Sequence, residues 1–315
     1  MSNSMALDNT GIDPAALQRY LEEQIYTLPG TTRHRDEFSI LLTGSRAIGA
    51  FQPGSDVDLD VVCPRPTYES VHRESLKVGI ITAARSFFCP LAGEDWHRYF
   101  GRQMGCPHFS LTPLEEVERH LREFNDVQLW IWTNAKIITD PQTQFARSIS
   151  NFKGYPNDVL IKKIKYRSLM AEHAGIDIYP LHHTSDEDLV AAANSISNMV
   201  SELLRLFFLV EGKPFPYAEK LMFYAKETKL GKEFCPLLQQ IINLVVGKDS
   251  AEKEAWPRLD KALEMLLGED KSEEARALAA AWAKAMLAAG VEPQWVEADY
   301  ENIDELLSGE LGPVP

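Results

Sequence analysis

The sequence predicts two domains of different class: an α+β (α/β) domain over residues 1–152, then an all-α helical bundle over residues 153–315. Three observations carry that expectation. The 315 residues suffice for two ordinary domains, and the composition is globular, 45% apolar and 25% charged. Strand-like and helix-like segments interleave up to about residue 152, after which apolar residues recur only at helical spacing. The pattern changes within "NFKGYPND", a Gly/Pro/Asn stretch of the kind that separates domains.

The elements follow in order. Asp13-Pro14 is a helix start, an N-cap followed by proline at the first helical position, and it opens "PAALQRYLEEQIYTL", which ends by Gly30. "EFSILLTG" reads as a short buried strand closing on Gly44. After a loop with Pro53 and Gly54, "SDVDLDVVC" alternates and then turns wholly apolar, as a strand entering a sheet does. Residues 67–88 read as mainly helical, "GCPHFSLTP" as a third strand and "LEEVERHLREF" as a helix. "VQLWIWTNAKIITD" is a mixed segment ending at Asp140-Pro141. In the second half "DVLIKKIKYRSLMAEHAG", "SDEDLVAAANSISNMVSELLRLFFLVEG", "YAEKLMFYAKETKLG", "FCPLLQQIINLVVG" and "SEEARALAAAWAKAMLAAG" are five helices. Glycine closes four of them, and Ser185 with Asp188 forms a capping-box-like start.

Charge and cysteine content narrow the function. The net charge is −14, and residues 249–315 hold 16 acidic against 6 basic residues. Such a surface repels a phosphate backbone, so broad binding of nucleic acid is disfavoured and a small neutral or basic substrate fits better. Cys63, Cys89, Cys106 and Cys235 are scattered without a CxxC pair and read as free thiols of a reducing cytoplasm. The polar opening "MSNSMALDNT" lacks the features of a signal peptide. No apolar run approaches membrane-spanning length.

Chemistry concentrates in "TGSRAIGAFQPGSDVDLDVV", residues 43–62. Asp56 and Asp58 point to one face of the strand, their Cα atoms roughly 7 Å apart. Two carboxylates so placed can each ligate a divalent cation, and hard oxygen donors suit Mg²⁺, with one or two ions possible. A Gly-Ser turn lets main-chain N–H groups and the Ser45 hydroxyl approach phosphate oxygens without a side chain in the way. Together these parts describe a nucleoside triphosphate site. Asp60 continues the alternation and is open between a further functional acid and a residue solvated at the cleft edge.

Gly44-Ser45, ten residues, then Asp56-Val57-Asp58 resembles the GS-x10-DxD signature of the polymerase-β-like nucleotidyltransferase superfamily, in particular its small bacterial branch of antibiotic and minimal nucleotidyltransferases. The resemblance implies a mixed-sheet nucleotidyltransferase domain followed by a helical bundle, with ATP between them. It also implies that Gly44, Ser45 and Ser55 contact the triphosphate and that Asp56 and Asp58 hold Mg²⁺. Family members usually add a third carboxylate on a neighbouring strand. The corresponding "CPHFSLTP" has none, and the nearest side chain is His108, with Ser110 two residues on. His108 is open between a substitute base and a structural role, and Glu94 or Asp95 could fill the gap.

In the second half the resemblance points to Lys220 as a γ-phosphate ligand, with Lys213 and Tyr217 as its neighbours. Against it stands a plain helix start with solvated lysines. Lys162, Lys163, Lys165 and Arg167 read as a solvated face. His173, His182 and His183 lack zinc-like spacing. Trp130, Trp132, Phe207 and Phe208 read as core, and the acidic segment with Trp282 and Trp295 as a capping helix and tail.

The resulting expectation is a cytoplasmic enzyme that moves a nucleoside monophosphate, AMP from ATP, to a hydroxyl of a small acceptor with Mg²⁺. The alternatives are a nucleotide-binding regulator that has lost turnover, or a modifier of a protein or RNA hydroxyl.

Overall fold

The computed structural model of the chain describes residues 7, 9–79, 96–176, 186–245, 262, 265 and 272–293. It divides into two compact units, residues 1–153 and 154–315. Cys89, Glu94, Asp95, His182, His183, Ser185, Trp295 and the distal part of the 67–88 helix lie outside the described residues.

In the first unit, helix α1 (Pro14–Tyr20) starts where expected: the Asp13 carboxylate accepts from the Ala15 N–H at 3.0 Å. It runs on as a π-helical turn, Leu21–Ile25. Four strands follow: β1 (Ser39–Leu42), β2 (Val57–Cys63), β3 (Pro107–Pro113) and β4 (Lys136–Thr139). They form one mixed sheet in the order β3-β2-β1-β4, with β2 and β3 parallel and β1 antiparallel to both its neighbours. Helix α2 (Gly44–Ala47) lies between β1 and β2, and α3 (Arg65–Lys77) leaves the end of β2. A short α4 (His97–Phe100) precedes β3. Helices α5 (Leu114–Arg122) and α6 (Asp126–Thr133) separate β3 from β4, and α7 (Gln144–Ser150) closes the unit.

Strand alternation sorts the sheet into two faces. On one, Ile40, Leu42, Val57, Leu59, Val61, Cys63 and Phe109 pack with Leu17, Tyr20, Leu21 and Ile25. Each such buried aliphatic side chain contributes on the order of 1.5–3 kcal/mol. On the other, Leu41 and Val62 pack with Val117, Trp132 and Phe145 from α5, α6 and α7. This second core covers only the far end of β2. Along that face exposure rises from Val62 at 0% through Asp60 at 8% to Asp58, half-buried, and Asp56, exposed. The acidic end of the strand is thus the end that the helices leave open.

Described elements of the second unit are helical: α8 (Asn157–Ile176), α9 (Asp186–Leu209), α10 (Leu221–Ala225), α11 (Lys229–Val245) and α12 (Glu273–Ala288). α8 packs on α9, α9 on α10 and α11, and α11 on α12. The stretch expected as one helix through Gly231 is broken. A 3-10 turn (Ala218–Lys220) leads into α10, the chain turns, and α11 begins at Lys229. Thr228 makes the break: its hydroxyl donates to the Ala225 carbonyl at 2.7 Å and accepts from the Gly231 N–H at 3.0 Å, an N-cap arrangement. Gly231 therefore starts a helix instead of ending one. A Cβ there would collide with the Ala225 carbonyl and lie 2.7 Å from Thr228 Oγ1. α11 then carries Pro236 inside it, which joins two segments of the sequence pattern into one helix.

The basic run on α8 is also not a uniformly solvated face. Lys165 is 5% exposed and pairs with Glu292 at 2.9 Å, while Arg167 pairs with Glu202 at 2.8 Å. Trp130, Trp132, Phe207 and Phe208 are buried, as read. Cys63, Cys106 and Cys235 are thiols outside any disulfide, and burial pushes the Cys63 thiol up to about 12 and Cys235 to about 11, so neither of these two ionises near neutrality. Among the described residues no helix is long and apolar enough to cross a membrane.

Candidate functional site

The corner after β1 and the start of β2 meet in space. The Thr43 N–H donates to the Asp58 carbonyl at 2.8 Å, so the sheet ladder itself places the Gly44-Ser45 turn beside the acid pair. Gly44 has φ +65°, the left-handed region that favours glycine. A Cβ there would strike Asp58 Oδ2 and lie 3.0 Å from its Cγ. Glycine is thus required twice over, by the turn and by the carboxylate that rests on it. Ser45 is half-buried, and its carbonyl accepts from the Ala50 N–H at 2.9 Å. The Ser55 hydroxyl accepts from the Gln52 N–H at 2.8 Å, which closes the loop just before the acids.

A second glycine backs the other acid. A Cβ at Gly105 would collide with Asp56 Oδ1 and lie 2.8 Å from the Asp56 nitrogen. Gly105 is held there because the segment before β3 already pairs with the segment before β2. Gly54 donates to Gln103 at 2.9 Å, Gly105 to Ser55 at 2.9 Å and Val57 to Cys106 at 3.3 Å. Both carboxylates of the pair therefore stand against bare backbone. Sequence reading missed Gly105, whose only signal is its place just ahead of the third strand.

The parallel register sets His108 level with Asp58 and Ser110 level with Asp60. His108 Nε2 lies 3.5 Å from Asp56 Oδ2, an ion-pair distance when the ring is charged and too long for a good hydrogen bond. β3 brings no carboxylate to this face. Among the described residues, no group of three or more His, Cys, Asp and Glu side chains is arranged to hold a metal ion. Asp56 and His108 come within ion-pair reach, and the strand register sets Asp58 level with His108.

Asp60 is neither solvated nor at a cleft edge. Its Oδ1 accepts from Ser110 Oγ at 2.7 Å and Thr112 Oγ1 at 2.8 Å, and its Oδ2 accepts from Trp132 Nε1 at 3.0 Å. A buried carboxylate survives only with its acceptor positions filled, and here β3 and α6 fill them. Asp60 ties the two layers together beneath the exposed pair.

Arg46, the residue after the corner, is the largest fully buried side chain among the described residues, 2% exposed. Burial pulls its pKa down from the ordinary range, and the charges of Asp56 and Asp58 act against that. Lys220 belongs to the second unit, where it ends the 3-10 turn before α10. Lys213 pairs there with Glu211 at 2.7 Å.

Residues 31–92, which include Gly44, Ser45, Ser55, Asp56 and Asp58, match the family model described as nucleotidyltransferase domain. Residues 122–221, from the end of α5 to Leu221, match a domain of unknown function, DUF4037. No curated protein matches the chain. Among solved structures, a nucleotidyltransferase-like protein from Exiguobacterium sibiricum is similar at 12% identity, covering 87% of this chain and 78% of that one with a TM-score of 0.39.

Proposed function

We propose, from the premise that this chain carries a polymerase-β-like nucleotidyltransferase domain, that it transfers a nucleoside monophosphate, AMP from ATP, to a hydroxyl of a small-molecule acceptor. The observation that best supports this reading is the seating of the Asp58 carboxylate on the backbone of Gly44. One acid of the pair touches the corner that would receive the triphosphate, so the two halves of the motif form one site.

In the reaction the acceptor oxygen bonds to the α-phosphorus. The bond from that phosphorus to its bridging oxygen breaks, and the electron pair leaves on pyrophosphate. Asp56 and Asp58 would hold Mg²⁺, which when bound neutralises phosphate charge and aligns the attacking and leaving oxygens. The donor set fits such an ion: two hard carboxylates on one strand face, each backed by a glycine, at the open end of the sheet. The Gly44-Ser45 main chain and the Ser45 hydroxyl would take the outer phosphates. His108, whose Nε2 lies 3.5 Å from Asp56 Oδ2, would accept the proton from the acceptor hydroxyl.

A second reading follows from one observation, the absence of an acid on β3 among the residues facing the pair. On that reading the protein binds Mg²⁺-ATP and does not turn it over. Calorimetric titration with a non-hydrolysable ATP analogue, with and without Mg²⁺, tests the shared premise. Asp56→Asn with Asp58→Asn is expected to abolish the metal-dependent part of the affinity, about a hundredfold. An unchanged affinity in the double variant overturns both readings. Pyrophosphate release over a panel of hydroxyl acceptors then separates the enzyme from the binder.

A further inference from the structure

The Arg46 guanidinium reaches from the Gly-Ser corner to the main chain around Asp56. Nε donates to the Asp56 carbonyl at 2.9 Å and to the Ser55 carbonyl at 3.2 Å, Nη2 donates to the Ser55 carbonyl at 2.8 Å, and Nη1 donates to the Thr10 carbonyl at 3.1 Å. The Phe51 ring lies against it, with Cζ 4.7 Å from the ring centroid. Gly11 completes the enclosure: a Cβ there would lie 2.8 Å from Phe51 Cζ and 3.4 Å from Arg46 Nη1.

The Ser55 and Asp56 carbonyls belong to the two residues that enter β2, so the guanidinium fixes the peptide units next to Asp56. At the other end, Arg46 follows the corner whose Gly44 carries the Asp58 carboxylate. One planar fork, itself fully buried, therefore links the seat of one acid to the backbone of the other. A lysine ammonium has no planar fork with which to bridge both carbonyls and the Thr10 carbonyl together. We infer that Arg46 is a positioning residue, which locks the Gly-Ser corner and Asp56 into one preset geometry for a metal-bound triphosphate. This inference rests on the proposed nucleotide site and adds to it the part that makes the site rigid before ligand arrives.

The test uses the full-length chain with Mn²⁺ as the probe ion and a non-hydrolysable ATP analogue. Arg46→Lys, still folded by circular dichroism, is expected to lose about tenfold in Mn²⁺ affinity in the presence of the analogue. Phe51→Leu, which loosens the enclosure and keeps every guanidinium bond, is expected to lose a smaller factor, and it decides the matter if Arg46→Lys does not fold. Arg46→Ala with millimolar guanidinium added is expected to recover part of the loss. A destabilised control, Trp132→Phe, is expected to lower the melting temperature and leave the affinity alone. Wild-type affinity in Arg46→Lys, or in Phe51→Leu where that variant decides, overturns the inference while leaving the nucleotide site standing. Failure of the wild-type chain to bind the analogue with Mn²⁺ overturns the site and the inference with it.

Discussion

Asp56, at the entry to β2, and Asp60, within it, lie four residues apart on one face, and the fold treats them oppositely. The Asp56 side chain is 48% exposed, with His108 at 3.5 Å and a glycine behind it. Asp60 is 8% exposed and accepts three hydrogen bonds from Ser110, Thr112 and Trp132. A carboxylate has about four acceptor positions. Asp60 has three of them filled by the protein and little left for a ligand. The two acids thus pass from an exposed one to one bound into the protein, and the covering helices decide where the change occurs.

The sharpest way to break this comparison is to remove the inner acid. Asp60→Ala leaves the Ser110 and Thr112 hydroxyls and the buried Trp132 indole N–H without their acceptor, and is expected to cost about 2 kcal/mol of stability. Metal-dependent nucleotide affinity should stay within about threefold once the variant is folded, as a stabilising effect confined to the layer contact requires. Denaturant unfolding and calorimetric titration of the same sample check both halves. A stable variant with lost nucleotide affinity would reverse the roles assigned to Asp56 and Asp60.

A smaller effect is expected from the glycine behind the outer acid. Gly105→Ala adds one carbon where the Asp56 carboxylate and backbone stand, so either the carboxylate rotates or the start of β3 moves. Metal-dependent affinity for the ATP analogue should fall about tenfold, near 1.4 kcal/mol. Gly154→Ala is the matched control, since a Cβ there meets nothing within 4 Å, although its φ of +99° adds strain of its own. Equal affinity in Gly105→Ala and wild type would mean that Asp56 need not keep its present pose.

What the sequence disclosed and what it withheld differ in a physical way. Gly44, Ser45, Asp56 and Asp58 lie within fifteen residues, and strand periodicity alone sets both acids on one face. Three of the four strands and the helix before them are legible for the same reason, as local patterns of apolar spacing and caps, whereas β4 (Lys136–Thr139) stays hidden in a mixed segment. Trp132 as a partner of Asp60 and Gly105 as the backing of Asp56 were not, because Trp132 is 72 residues from Asp60 and the Gly105 contact crosses between strands. Trp132 was legible as core but not as a donor, although a buried indole N–H normally finds an acceptor. Arg46 carries no periodic signal at all; a charged residue beside a glycine turn reads as surface. Thr228 shows the converse failure, since helical spacing ran unbroken through a cap that only its hydroxyl reveals.

The second unit supplies the mildest test, an acid that the fold buries in a different way. Burial raises the Glu172 pKa to about 6, whereas Asp60 is buried among three hydrogen-bond donors. A carboxyl with a raised folded-state pKa holds its proton more tightly in the native chain than in the unfolded one. Its contribution to stability is therefore present below the ordinary carboxyl pKa and is lost as pH rises through about 6. Glu172→Gln, which cannot ionise, should raise the unfolding midpoint at pH 7.5, by a gain of about 1 kcal/mol, and leave it nearly unchanged at pH 4. Asp60→Asn should do the opposite at pH 7.5, because its amide puts a donor where Ser110, Thr112 and Trp132 need an acceptor. If both amide variants shift the midpoint in the same direction, burial alone governs these acids, and the hydrogen bonds around Asp60 are not what separates it from Glu172.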